Sequence, residues 1–176
     1  MSLAFQGAAR ALSSEGLEKA AGQLQASAAE IWTVLEVETS GYGYLPDRRP
    51  LILYERHKFS HHTDREFDDG DISHHQAGGY GAHGAAQYER LNRAVALHRS
   101  AALRSASWGL GQVMGENFAA AGFADEEQMV AAMLRSEDEQ LGAMAAFIAS
   151  SKPRLRALQS HDWATFARLY NEKIIR

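Results

Sequence analysis

The sequence predicts a mostly α-helical domain with one small irregular or β element. Alanine is abundant and proline occurs only three times, which favours helix over strand. Apolar residues recur at steps of three and four through several stretches, the period of a one-sided helix. Between His57 and Ala86 that period fails, and Gly, His and Asp dominate instead. A length of 176 residues suits one domain able to bury most of its apolar surface. No repeat or linker divides it, so residues 1–176 read as one unit.

The elements follow in order. Ser14, Leu17 and Glu18 form a helix entry, and Gly22 marks a break. A second helix is expected over Leu24–Glu38, with Leu24, Ala28, Ile31, Leu35 and Glu38 on one face. Thr39 to Pro50 reads as turns. Leu51–Tyr54 is a short apolar run, either strand or helix start. His57–Ala86 reads as a long structured loop or small hairpin. A helix is expected over Gln87–Ala106, with Leu91, Val95, His98 and Ala102 on its buried face. Trp108–Gly115 is punctuated by glycine and reads as the opening of the next helix. Asp125 caps a helix with Gln128 at the capping-box position. Further helices run from Asp138 to Ser150, from Pro153 to about Leu158, and onward from an Asp162 cap.

Composition excludes several functions. A formal charge of −4 gives no support for a nucleic-acid partner. With no cysteine there are no disulfides and no thiolate metal sites. The N-terminus lacks a basic start followed by a long apolar core, so a secretory signal is not expected, and the protein should accumulate in the cytoplasm. No apolar run approaches the roughly 20 residues that cross a bilayer.

Glu38 carries the sharpest chemical signal. It ends an apolar stripe directly before Thr39-Ser40-Gly41-Tyr42-Gly43. A carboxyl that is half buried yet opens onto a glycine turn keeps its proton to higher pH, as a general acid requires. The alternative is a helix-terminal glutamate held by backbone or arginine. Glu36 points to the other side. Glu55 follows the Leu51–Tyr54 run and precedes Arg56 and His57, which would orient it or hold it ionised. It is either a second reacting carboxylate or half of a structural Glu-Arg pair. Six of the eight histidines lie between His57 and His83, but no pair has the helical His-Glu-x-x-His form of a zinc site. Asp68, Asp69 and Asp71 lack the closing glutamate of a calcium loop. No metal and no cofactor is expected. Trp108 to Val113 combines glycines with Trp108 and Gln112, suited either to a sugar-lined groove or to a packed helix start.

Taken together, these segments resemble the N-acetylmuramidase domain of phage endolysins and prophage-encoded wall lysins. The likeness is carried by Val34–Gly41, Arg49–His57, Gly78–Gly81, Ala86–Tyr88, Ala101–Gly109, Gln112–Gly115, Asn117 and Tyr170-Asn171. It runs from about residue 25 to residue 171. The resemblance implies a lysozyme-like helical fold and hydrolysis of the β-1,4 bond between N-acetylmuramic acid and N-acetylglucosamine in peptidoglycan. It implies Glu38 as the acid, Glu55 as a second catalytic carboxyl, and Ser40, Tyr80, Trp108, Gln112 and Asn171 as substrate-binding residues. It also implies an export or holin system that releases the enzyme to the wall. A lytic transglycosylase and a non-catalytic peptidoglycan-binding module are the alternatives. After Tyr170-Asn171 the chain reads Glu172-Lys173-Ile174-Ile175-Arg176 where the family has a Gly-Pro pair, so an altered or truncated C-terminus is expected.

Overall fold

The computed structural model describes residues 4–39 and 41–171. Helices dominate, and one small sheet lies among them. Helix α1 spans Ser14–Leu24, with the Ser13 side chain accepting the Gly16 N–H at its start. The expected break at Gly22 falls instead at Gln25, which turns left-handed at φ 48° and donates its N–H to the last carbonyls of α1. Leu24 therefore belongs to α1, and α2 is Ala28–Thr39. On α2 the buried stripe is Ile31, Val34 and Leu35, while Ala28 is exposed.

Strand β1, Ile52–Tyr54, settles the ambiguous apolar run. Helix α3, Arg56–His62, follows at once, so the stretch read as loop or hairpin begins as helix. Residues 63–85 are irregular, and Arg56 ties them down by donating to the Gly78 and Gly70 carbonyls. The helix expected over Gln87–Ala106 is interrupted. His98 is extended at φ −154°, dividing α4 (Ala86–Leu97) from α5 (Arg99–Arg104). His98 is exposed rather than on the buried face, and its ring caps α5 by accepting the Ala101 N–H.

The larger departure is at Ala106–Met114. This segment is a hairpin, β2 (Ala106–Trp108) and β3 (Val113–Met114), not a helix start. The three strands form an antiparallel sheet in the order β1-β2-β3. Pairing Ile52 with Trp108 and Tyr54 with Ala106 sends these side chains to the core face. Leu53, Ser107 and Met114 take the opposite face. A short 3-10 turn, Gly115–Asn117, leaves the sheet.

Helices α6 (Glu126–Met133), α7 (Glu137–Ala149), α8 (Lys152–Gln159) and α9 (Trp163–Asn171) complete the described chain. Asp125 caps α6 through the Gln128 N–H, and Asp162 accepts the Thr165 N–H at the start of α9, both as the side chains predict. Helix α7 is the spine. Leu141, Met144, Ala145 and Ile148 are fully buried, and its acidic first turn suits the positive end of the helix dipole. That turn also gathers the chain around it. Glu137 accepts the N–H groups of Leu12 and Gly43, and Asp138 accepts that of Ser13.

Candidate active site

The site is built along the sheet face opposite the core. At one end lies the C-terminus of α2. Thr39 Oγ1 donates to the Leu110 carbonyl at 3.0 Å, which fastens the helix end to the β2–β3 turn. The turn is in turn fastened to β1, because Gly109 N–H donates to Leu51 O at 2.7 Å. Glu38 is the penultimate residue of α2, so its backbone is at this junction. Its side chain, and all of Ser40, lie outside the described residues. Glu36 is exposed, as its helical phase predicts.

At the far end of β1 stands Glu55. It is 1% exposed, and its Oε2 has no hydrogen-bond partner. Burial pushes its pKa up from 4.5 to about 7; Lys58 opposes the rise and the charge of Glu116 adds to it. His57 Nε2 is 3.4 Å from Glu55 Oε2, too loose for a good hydrogen bond, and neither ring nitrogen has another partner. Burial also lowers the His57 pKa, so the imidazole is neutral beside a carboxyl that holds its proton up to about neutral pH. The sequence assigned Arg56 and His57 to orienting Glu55 or holding it ionised. Arg56 turns instead to the 70–79 loop, and a neutral His57 supplies no charge, so neither residue holds Glu55 ionised.

Tyr80 closes in from that loop. Its phenol is half buried, and both burial and the neighbouring Glu55 charge raise its pKa. Its carbonyl accepts from Gln87 Nε2 and Arg90 NH1, each at 2.7 Å. Tyr80 and Glu55 are thus brought together although 25 positions separate them in the sequence.

Gln112 stands at the hairpin. Its amide donates to Leu51 O and Gly109 O and accepts from Ser107 Oγ, so it braces the turn from the sheet face. Trp108 is a correction. It was expected to offer its indole to a sugar, but it is fully buried, tilted against Phe5 with Nε1 donating to Leu103 O. A strand register that sends Ile52 and Trp108 inward leaves no ring face for a ligand. Asn171 ends α9, half buried, and its neighbour Tyr170 donates to Gly111 O in the same hairpin turn.

Glu116 was not foreseen. It sits on the 3-10 turn, where Lys58 Nζ binds Oε1 at 3.0 Å and His62 Nε2 meets Oε2 at 3.1 Å. Burial alone would raise its pKa, but these two bonds outweigh it and hold the carboxyl at about 2. The available signal was the spacing Glu55, Lys58, His62, which repeats at three and four along α3. The histidines are otherwise dispersed: His61 and His62 share α3, while His74 and His75 stack on each other in the loop. Asp69 accepts the N–H groups of Asp71, Ile72 and Ser73, which closes the acidic turn on itself.

A helical domain with one short antiparallel sheet, the α2 terminus at one end of β1 and a buried glutamate at the other, is a domain of the lysozyme type. The comparisons give its family. The family model for N-acetylmuramidase (Muramidase) matches residues 27–173. The crystal structure of Burkholderia AP3 phage endolysin is similar, with a TM-score of 0.84 and 41% sequence identity over 92% of this chain. The chain spans 63% of that endolysin's length. Among curated proteins no sequence match was found. The chain belongs to the N-acetylmuramidase family.

Proposed function

We propose that this chain hydrolyses peptidoglycan at the β-1,4 bond between N-acetylmuramic acid and N-acetylglucosamine, with Glu38 as general acid and Glu55 as the carboxylate that activates water. The observation that carries the reading is Glu55 itself. A glutamate buried at 1% exposure without a partner for Oε2 is costly to keep, and it is placed beside a tyrosine at the end of a sheet face. A pKa of about 7 poises it to take a proton from water near neutral pH. The endolysin likeness supports peptidoglycan as the substrate, and release through an export or holin system belongs to the same proposal. Among the described residues no helix is long and apolar enough to cross a membrane.

The backbone layout favours inversion. Thr39 is fastened at the Leu51 end of β1, and Glu55 lies four residues beyond Leu51 along extended backbone, roughly 13 Å. Backbone positions that far apart would leave room for a water between the two carboxyls, as the wider spacing of inverting enzymes requires. Tyr80, Gln112 and Asn171 would line the sugar path, and Ser40 would shape the turn beside the acid.

The test is digestion of purified peptidoglycan, with mass spectrometry of the fragments and NMR of the newly formed anomer. Reducing N-acetylmuramic acid ends of inverted configuration are expected. Glu38→Gln and Glu55→Gln should each lower the rate by about 10²-fold or more. Glu36→Gln, on the exposed side of α2, should cut at the parent rate. Anhydro ends would overturn the hydrolase reading, and tight wall binding without fragments would overturn catalysis.

A further inference from the structure

Glu55 occupies a position where a glutamate ordinarily finds partners, and it finds few. It is the N-cap residue of α3, at the helix end whose free N–H groups attract carboxylates, yet its side chain makes no capping bond. Three residues on, on the same face, stands Lys58, the usual spacing of a helical ion pair. Lys58 points its ammonium elsewhere, to Glu116 at 3.0 Å. Its side chain is only 12% exposed there, and that of Glu116 15%, so the pair is largely shielded from water and not a passing surface contact. His62, a further turn along α3, binds the second oxygen of Glu116 and fixes the carboxylate plane.

We infer that Glu116 is a positioning residue for the reaction: it holds the Lys58 ammonium away from Glu55 and so leaves the Glu55 carboxyl free to exchange a proton. Without Glu116 the ammonium loses its carboxylate partner, and Glu55, three residues back and already within its electrostatic reach, is the carboxyl it would turn to. The two would pair, and a paired glutamate stays ionised and is a weak base. The groups facing Glu55 are His57 and Lys58 of α3, Glu116 of the 3-10 turn and Tyr80 of the loop. His57 and Tyr80 are neutral near pH 7, their pKa values moved away from it by burial, so the charge balance there is set by Lys58 and Glu116. This inference rests on Glu55 being a reacting carboxyl, as proposed above.

The experiment measures the Glu55 midpoint directly, by carboxyl-carbon NMR of glutamate-labelled protein, beside the pH profile of peptidoglycan cleavage. In Glu116→Gln a negative charge is lost and the lysine is released. The Glu55 midpoint should fall by about one pH unit or more, and the limb of the pH profile should move down with it. Lys58→Met removes the cation instead and should raise the midpoint, the opposite direction. The double variant should return it toward the parent value. If Glu116→Gln does not fold, Lys58→Met still decides by its sign. An unmoved Glu55 midpoint in folded single variants overturns the inference. A midpoint that moves while the cleavage profile stays put keeps Glu116 as the group that tunes Glu55 and removes Glu55 from the reaction.

Discussion

In the role proposed for it, Glu55 would set function against stability in one residue. Its folded pKa, about 7, lies above the 4.5 of an unburied glutamate, so the folded state holds the proton more tightly than the unfolded one. Folding therefore carries no penalty at acid pH, where both states are protonated. The penalty grows as pH rises from 4.5 to about 7 and is complete above it. Its size is on the order of 3 kcal/mol. Glu55→Gln removes the charge and keeps the shape. The variant should melt higher than the parent at about pH 8, while near pH 4 the two should coincide, and it should have lost turnover. Thermal melts across that range decide it: a gap that fails to widen with pH would mean that the buried carboxyl is solvated or paired in solution. Glu116 behaves in the opposite way. A carboxyl held at about 2 contributes stability that is present above its unfolded pKa and lost only as pH falls toward 2.

At the scale of elements, the hairpin was the least legible part of the chain. Caps were legible because one side chain decides them: Asp125 and Asp162 act as their spacing predicts. The placing of Glu55 at the end of a buried strand was legible because a charged residue directly follows an apolar run. The segment Ala106–Met114 was not, because Ala101, Ala102 and Leu103 continue a helical period up to its edge. Its strands are too short, at three and two residues, to show an alternation of their own. What ends the helix is tertiary. Glu55 N–H takes the Ser105 carbonyl, and β1 then captures β2. Glu116 was illegible for the same reason, since only the fold carries its turn to α3. Gly109 makes the hairpin possible, with φ +65° and the Gln140 carboxamide packed where a Cβ would be. Gln140 is buried, accepting Leu110 N–H at 2.7 Å and donating to Met133 O. Gly109→Ala should therefore cost about 2–3 kcal/mol, from the left-handed backbone and a displaced buried amide. It should also slow cleavage, because the same turn anchors Thr39 and the end of α2. Denaturant melts beside cleavage rates check both; an unchanged midpoint would show that the turn has slack.

On the scale of the whole molecule, the described fold extends beyond the residues that the family model matches. The family model begins at residue 27, yet the residues before it are built into the core. Ala9 and Arg10 donate to the Leu134 and Arg135 carbonyls, and Arg10 O accepts the Glu137 N–H. This short parallel contact lays residues 9–10 beside the start of α7. Helix α1 packs along α7, and Phe5 reaches across to within 5.7 Å of the Trp108 ring and 5.8 Å of the Tyr88 ring. At the other end, Tyr170 and Phe166 pack together, Phe147 meets Tyr170 edge-on, and Tyr170 donates to Gly111 O. The C-terminal departure read from Glu172 onward lies outside the described residues, but α9 up to Asn171 is seated on the hairpin turn. Both ends thus brace the β2–β3 hairpin, one from beneath Trp108 and one at its turn. Phe5→Ala should uncover part of the indole and remove an aromatic contact. It should cost about 1–2 kcal/mol, less than a fully buried phenylalanine would, because Phe5 is only partly buried. For a domain of this size that lowers the melting temperature by about 3–6 °C. Trp108 is fully buried while Trp32 and Trp163 are 44% and 37% exposed, so a red shift of the blue edge of the tryptophan emission reports on Trp108. An unchanged melting temperature together with an unchanged emission spectrum would mean that the N-terminal segment leaves the core in solution, and the structural domain would then start at α1.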